Sequence, residues 1–133
     1  MMQAGATKTL LVVGPDPETQ ALALEQAKPR GLSVIIASDP HGAMAMLDMT
    51  VPAVVLSDLC LPERTGLSML RDIRRRGSHI ALIAMAEQGS DASMLEALRA
   101  GAIDYLYKPV IGLQLGMALD RALQVIPQTV VDV

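Results

Sequence analysis

The sequence predicts a three-layer α/β sandwich built on a parallel sheet of five strands. Five short apolar runs alternate with five longer amphipathic segments along the 133 residues. The runs are apolar at nearly every position, which suits strands covered on both faces rather than strands with one wet side. Gly, Pro, Asp and Ser fall at the junctions, where turns and helix caps are needed. Parallel neighbours require crossover connections, and right-handed crossovers lay helices over both faces of the sheet.

Thr9-Leu10-Leu11-Val12-Val13 reads as the first strand, stopped by Gly14-Pro15. Asp16-Pro17-Glu18 opens a helix: Asp16 can cap the free N–H groups, and Pro17 suits a first helical position because its missing donor costs nothing there. This helix should end near Lys28, before Pro29 and Gly31. Ser33–Ala37 is the second strand, and Asp39-Pro40 opens a second helix running to about Met49. Ala53–Ser57 is the third strand. A helix then opens at Thr65 or nearby and runs through Arg76, with Leu67, Leu70 and Ile73 spaced for the core. Ile80–Met85 is the fourth strand. Ser90 is expected to cap a helix carrying Met94, Leu95 and Leu98, with Gly101 where a left-handed residue closes it. Ala102–Leu106 is the fifth strand. The last helix runs from about Ile111 to Val125, with Leu115, Leu119 and Ala122 on one face and Pro127 ending it. The domain is therefore placed at 1–127, with 128–133 a short tail or the start of a linker.

Composition narrows the function classes. Hydrophobic residues make up 51% and charged residues 19%, so disorder is excluded. With no Phe or Trp, the core falls to Leu, Ile, Val, Ala and Met, and the nine Met are read as adaptable filler. A net charge of −3 argues against nucleic-acid binding, and the basic run Arg74-Arg75-Arg76 reads as a solvated helix end complementing the dipole. One cysteine, Cys60, cannot form an internal disulfide and fits a reducing cytosol. No apolar run reaches the roughly 20 residues that span a bilayer, and no secretory signal is evident at the N-terminus. A cytoplasmic domain with no membrane partner is expected.

Ligands of open parallel sheets gather beyond the carboxyl ends of the strands. The residues there are Gly14, Pro15 and Asp16, then Asp58, then Ala86 and Glu87, then Lys108. The stretch from Val55 through Ser57-Asp58-Leu59-Cys60-Leu61-Pro62 to Gly66-Leu67 closely resembles the phosphoacceptor segment of response-regulator receiver domains, with Pro four residues and Gly eight residues after the Asp. Ala100-Gly101-Ala102 followed by Asp104-Tyr105-Leu106-Tyr107-Lys108-Pro109 is similar to the fifth-strand signature of that family, and Leu10–Val13 and Ile83–Met85 to its first and fourth strands. The resemblance covers nearly the whole chain and implies a flavodoxin-like fold with strand order 2-1-3-4-5. It implies Asp58 as phosphoacceptor, a carboxylate that takes a phosphoryl group from a phosphohistidine to form an acyl phosphate. Lys108 would pair with the phosphoryl oxygens, and Pro109 would follow a cis peptide bond. Cys60 would offer a backbone carbonyl at a metal position. Tyr105 would be the aromatic whose rotamer reports activation, unless it is simply a half-buried aromatic on an edge strand.

Two positions depart from the family pattern. Receivers place two acids after the first strand to help hold Mg²⁺, and here Gly14 and Pro15 offer no side-chain oxygen. Asp16, one step on, is expected to cap the helix and point away. The Thr or Ser that would hydrogen-bond the phosphoryl group is Ala86, followed by Glu87, which is read as a solvated carboxylate, a repeller of phosphate, or an internal counter-ion for Lys108. Phosphoryl transfer rests on positioning and charge stabilisation, and removing one stabilising donor costs about 2.7–4 kcal/mol. The sequence thus predicts an atypical receiver with weak or absent Mg²⁺-dependent phosphorylation, no cofactor unless Asp16 or Glu87 compensates, and no enzymatic activity. Its expected partner is a sensor histidine kinase or other signalling protein, or a second copy through the fourth helix, fifth strand and fifth helix. The alternatives are a working Asp58 phosphoacceptor with an unusual metal arrangement and, from another class, a small flavodoxin-like cofactor binder. The loop Gly14-Pro15-Asp16-Pro17 lacks the Ser/Thr/Gly-rich amides that cradle a phosphate for the latter.

Overall fold

Strand β1 (Lys8–Val13) sends alternate side chains to opposite faces of the sheet, and both faces are dry. Leu10 and Val12 join one core, while Leu11 and Val13 join the other. The structure, a computed structural model, describes residues 8–61, 66–77 and 79–125. After β1 come α1 (Pro17–Ala27), a 3₁₀ turn over Lys28–Arg30, β2 (Leu32–Ala37), α2 (Pro40–Met49), β3 (Val54–Asp58) and α3 (Gly66–Arg76). Then follow β4 (Ala81–Glu87), α4 (Asp91–Arg99), β5 (Ala102–Lys108) and α5 (Gly112–Val125). The five strands form one parallel sheet in the order β2-β1-β3-β4-β5, and the helices cover both faces.

The core on one face packs Val55, Leu82 and Ala84 against Leu47 of α2, Met69, Leu70 and Ile73 of α3, and Met94 and Ala97 of α4. On the other face, Val54, Leu56, Ile83 and Met85 meet Ala23 and Ala27 of α1 and Leu115, Leu119 and Ala122 of α5. Each fully buried Leu, Ile or Met contributes about 1.5–3 kcal/mol, so these two layers dominate the stability. Met69, Met85 and Met94 are buried as filler, whereas Met49 and Met117 are exposed.

Asp16 and Asp39 begin α1 and α2 as capping residues, Asp39 Oδ1 accepting from Gly42 N–H at 2.7 Å. Gly101 has a positive φ of 111° and closes α4 by donating to the Leu98 carbonyl. The expected Ser90 cap is corrected: Ser90 sits at the cap position with φ −96° and ψ 36°, and its side chain makes no capping hydrogen bond. Leu67 is only partly buried, and Leu95 and Leu98 are exposed rather than buried. The solvated reading of the basic run also needs correction at Arg74. Arg75 and Arg76 pair at the surface with Asp72 and Asp48, but Arg74 Nη2 donates to the Gly101 carbonyl at 2.9 Å and ties α3 to the α4–β5 turn. The expected helix start at Thr65, the stop at Pro127 and the tail from 128 lie outside the described residues.

The registers bring the strand ends together. Val13 lies opposite Ser57, Asp58 opposite Met85, and Glu87 opposite Lys108. Asp58 and Lys108 are fifty residues apart in sequence but share one rim of the sheet.

Candidate functional site

Asp58 is the last residue of β3 and only 3% exposed. A carboxylate at that depth must be paired and hydrogen-bonded to stay charged. Its Oδ1 accepts from the Cys60 N–H at 3.1 Å, and its Oδ2 forms an ion pair with Lys108 Nζ. Lys108 ends β5, keeps 17% side-chain exposure, and precedes a cis peptide bond to Pro109. Cys60 meets Asp58 through its backbone, and its thiol is free and exposed.

The glycine eight residues past Asp58 has a physical reason. A Cβ on Gly66 would stand 2.2 Å from the Asp58 carbonyl oxygen, backbone against side chain, so the first turn of α3 can approach β3 only without one. Gly66 N–H also donates to the Leu59 carbonyl at 3.0 Å.

On the other side of Asp58 lies the end of β1. Gly14 has φ +150°, and a Cβ there would come 3.3 Å from the Asp58 Cβ. The Gly14 N–H donates to the Ala37 carbonyl at 2.9 Å, and its own carbonyl accepts from Gln20 Nε2 at 2.8 Å. Pro15 is exposed. Asp16 Oδ1 accepts from the Glu18 N–H at 3.2 Å, and Oδ2 from the Thr19 hydroxyl at 2.6 Å. The Thr19 hydroxyl, the Glu18 amide and the charge of Lys108 hold the Asp16 carboxyl below its usual range, against an opposing push from burial. The expectation that Asp16 points away from the site is corrected in part: it caps α1, yet it borders the same small cavity as Asp58, with Val12, Thr19, Gln20 and Met85. That cavity has no room for a water molecule.

These donors do not fit an Mg²⁺ ion. An octahedral hard cation wants several convergent oxygens and usually keeps its own waters. Here both Asp16 oxygens accept protein hydrogen bonds, one Asp58 oxygen faces an ammonium, and positions 14 and 15 supply no side-chain oxygen. No cluster of three acidic, His or Cys side chains able to hold a metal occurs among the described residues. Glu87 lies next to Lys108 in register, but it is exposed and makes no ion pair among the described residues. The reading of Glu87 as counter-ion to Lys108 is therefore corrected, since Asp58 holds that place.

Ala86 is buried and lies beside Tyr107 in the β4–β5 register. Tyr105 is 41% exposed on the edge strand, its ring edge-on to Tyr107 at 5.6 Å and 80°. Tyr107 escaped the sequence reading. The signal that could have found it is its period-two spacing from Tyr105, which places both rings on one face of β5.

A five-stranded parallel sheet in this order, with a carboxylate ending β3 and a lysine ending β5, is the arrangement that the resemblance to receiver domains implies. The comparison with known families agrees: the model for the response regulator receiver domain matches residues 10–120, and the chain belongs to that family. The chain is 32% identical over 116 residues to an uncharacterized 14.6 kDa protein in the sodA1 3' region of Leptolyngbya boryana, covering 86% of this chain and 88% of that one. It is 32% identical over 114 residues to the transcriptional regulatory protein ZraR of Salmonella typhimurium, covering 86% of this chain but only 26% of ZraR. Among solved structures, the receiver domain of NtrX from Brucella abortus superposes with a TM-score of 0.80 at 25% identity, covering 86% of this chain and 98% of that one. The general role is that of the family, a receiver domain in two-component signalling.

Proposed function

We propose that this receiver domain signals by protein contact, with Asp58 phosphorylation weak or absent and no Mg²⁺ required. The observation that carries the reading is the β1–α1 turn: Gly14 and Pro15 bring no side-chain oxygen to Asp58, and both Asp16 oxygens accept hydrogen bonds from α1, one from the Glu18 N–H and one from the Thr19 hydroxyl. Charge developing on a transferred phosphoryl group would meet Lys108 but neither a metal nor a hydroxyl at Ala86. The domain is then not an enzyme. Its partner is a sensor histidine kinase or other signalling protein, or a second copy meeting it through α4, β5 and α5. That face supports the reading, since Leu95, Leu98, Ile103, Tyr105, Ile111 and Met117 are all exposed on it, and aromatic and Met side chains are favoured at interfaces. The intact Asp58–Lys108 pair favours the second reading, a working phosphoacceptor with an unusual metal arrangement.

Amide chemical shifts separate the two. Titration with Mg²⁺ and then beryllofluoride should give no saturable shift near Asp58 at low-millimolar Mg²⁺. Asp58→Ala should leave partner binding, measured by calorimetry, nearly unchanged. A saturable metal response, or binding lost on Asp58→Ala, would overturn the contact reading in favour of the second.

A further inference from the structure

Helix α4 is lightly anchored. It has nine residues, of which Met94 and Ala97 are buried, and the Ser90 side chain before it makes no cap. Its first residue, Asp91, accepts a hydrogen bond from the Tyr107 hydroxyl at 2.5 Å. Tyr107 packs against the core under α4 and is braced edge-on by Tyr105. On the neighbouring strand, its register partner Ala86 has no side-chain group that competes for the hydroxyl.

We propose that Tyr107 and Asp91 form a latch between β5 and α4, and that opening this latch, rather than chemistry at Asp58, sets how α4 is presented to a partner. The proposal rests on the contact reading above and adds its moving part. A partner seated on Tyr105 and the exposed Leu95 and Leu98 touches both sides of the latch, because the Tyr105 ring abuts Tyr107 and the two leucines ride on α4. The phenol makes a durable donor. The Asp91 carboxylate that accepts its hydrogen bond pushes the Tyr107 pKa up to about 12, which extends the phenol's range as a donor into alkaline solution.

Hydrogen exchange on the free protein tests this without any partner. Tyr107→Phe removes only the hydroxyl, and it should speed exchange of the Met94, Leu95 and Glu96 amides roughly fivefold, the worth of one partly solvated hydrogen bond. Rates are read relative to Val55 and Leu56 in β3, which report global opening. Asp91→Ala should match this effect, and Asp91→Asn, which keeps an acceptor, should retain most of the protection. The double variant Tyr107→Phe with Asp91→Ala should exceed either single change by no more than about twofold, because both remove the same contact. Asp58→Ala should leave α4 exchange unchanged. Unaltered α4 rates in Tyr107→Phe, or additive effects in the double variant, would overturn the latch. If the latch variants behave as expected but Asp58→Ala opens α4 equally, the latch as such stands, while its independence of Asp58 and the contact reading both fail.

Discussion

Removing the Lys108 ammonium should unmask the cost of keeping Asp58 buried. The Asp58 side chain is 4% exposed and, once Lys108→Ala is made, retains the Cys60 N–H as its described polar contact. Breaking a buried ion pair from one side costs about 3–5 kcal/mol, because the surviving charge is stranded. Lys108 keeps some exposure, and the space left by its side chain lets water reach the carboxylate, so the expected loss is about 2–4 kcal/mol. The reverse change is far milder. In Asp58→Ala no buried charge is left, and the long lysine stem can carry its ammonium to solvent, which limits the loss to about 1 kcal/mol. For a domain of this size the Lys108→Ala loss lowers Tm by roughly 6–15 °C. Urea unfolding at pH 7, with the slope of stability against denaturant unchanged between variants, measures both. A Lys108→Ala protein within about 0.5 kcal/mol of the parent would refute the reasoning. So would an Asp58→Ala protein destabilised as much as Lys108→Ala.

Two further expectations concern the same rim. Gly66→Ala places a methyl 2.2 Å from the Asp58 carbonyl oxygen, and a clash that only backbone movement can relieve should cost about 2–4 kcal/mol in urea unfolding. Asp16→Ala removes the α1 cap and should cost about 1 kcal/mol at neutral pH. Because the folded Asp16 carboxyl sits below its ordinary value, that contribution is fully present above the unfolded pKa and fades as pH falls through the folded one. Stability curves of parent and Asp16→Ala should therefore converge in strong acid, and a constant gap at all pH values would contradict this.

The strand–helix alternation was legible because each strand is an apolar run bounded by turn residues, as in Leu10–Val13 or Ala81–Met85. The strand ends were not. β4 runs on to Glu87 and β5 to Lys108, because each supplies the other's ladder in parallel register past the point where the apolar run stops. The end of α1 was read one residue late, since Pro29 tightens Lys28–Arg30 into a 3₁₀ turn rather than simply stopping a helix. At the site, the motif and the expected sheet order bring Asp58 and Lys108 to one rim, but that the two pair directly with each other is legible only in the structure, because side-chain reach across the rim is not written in the sequence. Arg74 was misread for a similar reason. Its run of three arginines looks uniform, and only the placement of the α4–β5 turn gives the first of them a carbonyl to hold.

The β1–α1 turn bears on any attempt to alter this protein. At Gly14 the chain turns with φ +150°, its side-chain position abuts Asp58, and Gln20 clamps its carbonyl. An acid written into position 14 would arrive with a Cβ at 3.3 Å from the Asp58 Cβ and with backbone angles that residues other than glycine rarely adopt. A single acidic substitution at position 14 thus meets a barrier of geometry before any question of metal affinity arises. Pro15, with its fixed φ, and the Gln20 amide that donates to the Gly14 carbonyl hold the turn in this shape. The shape of this loop is set in the backbone, so an acid added at one position does not by itself remake the rim.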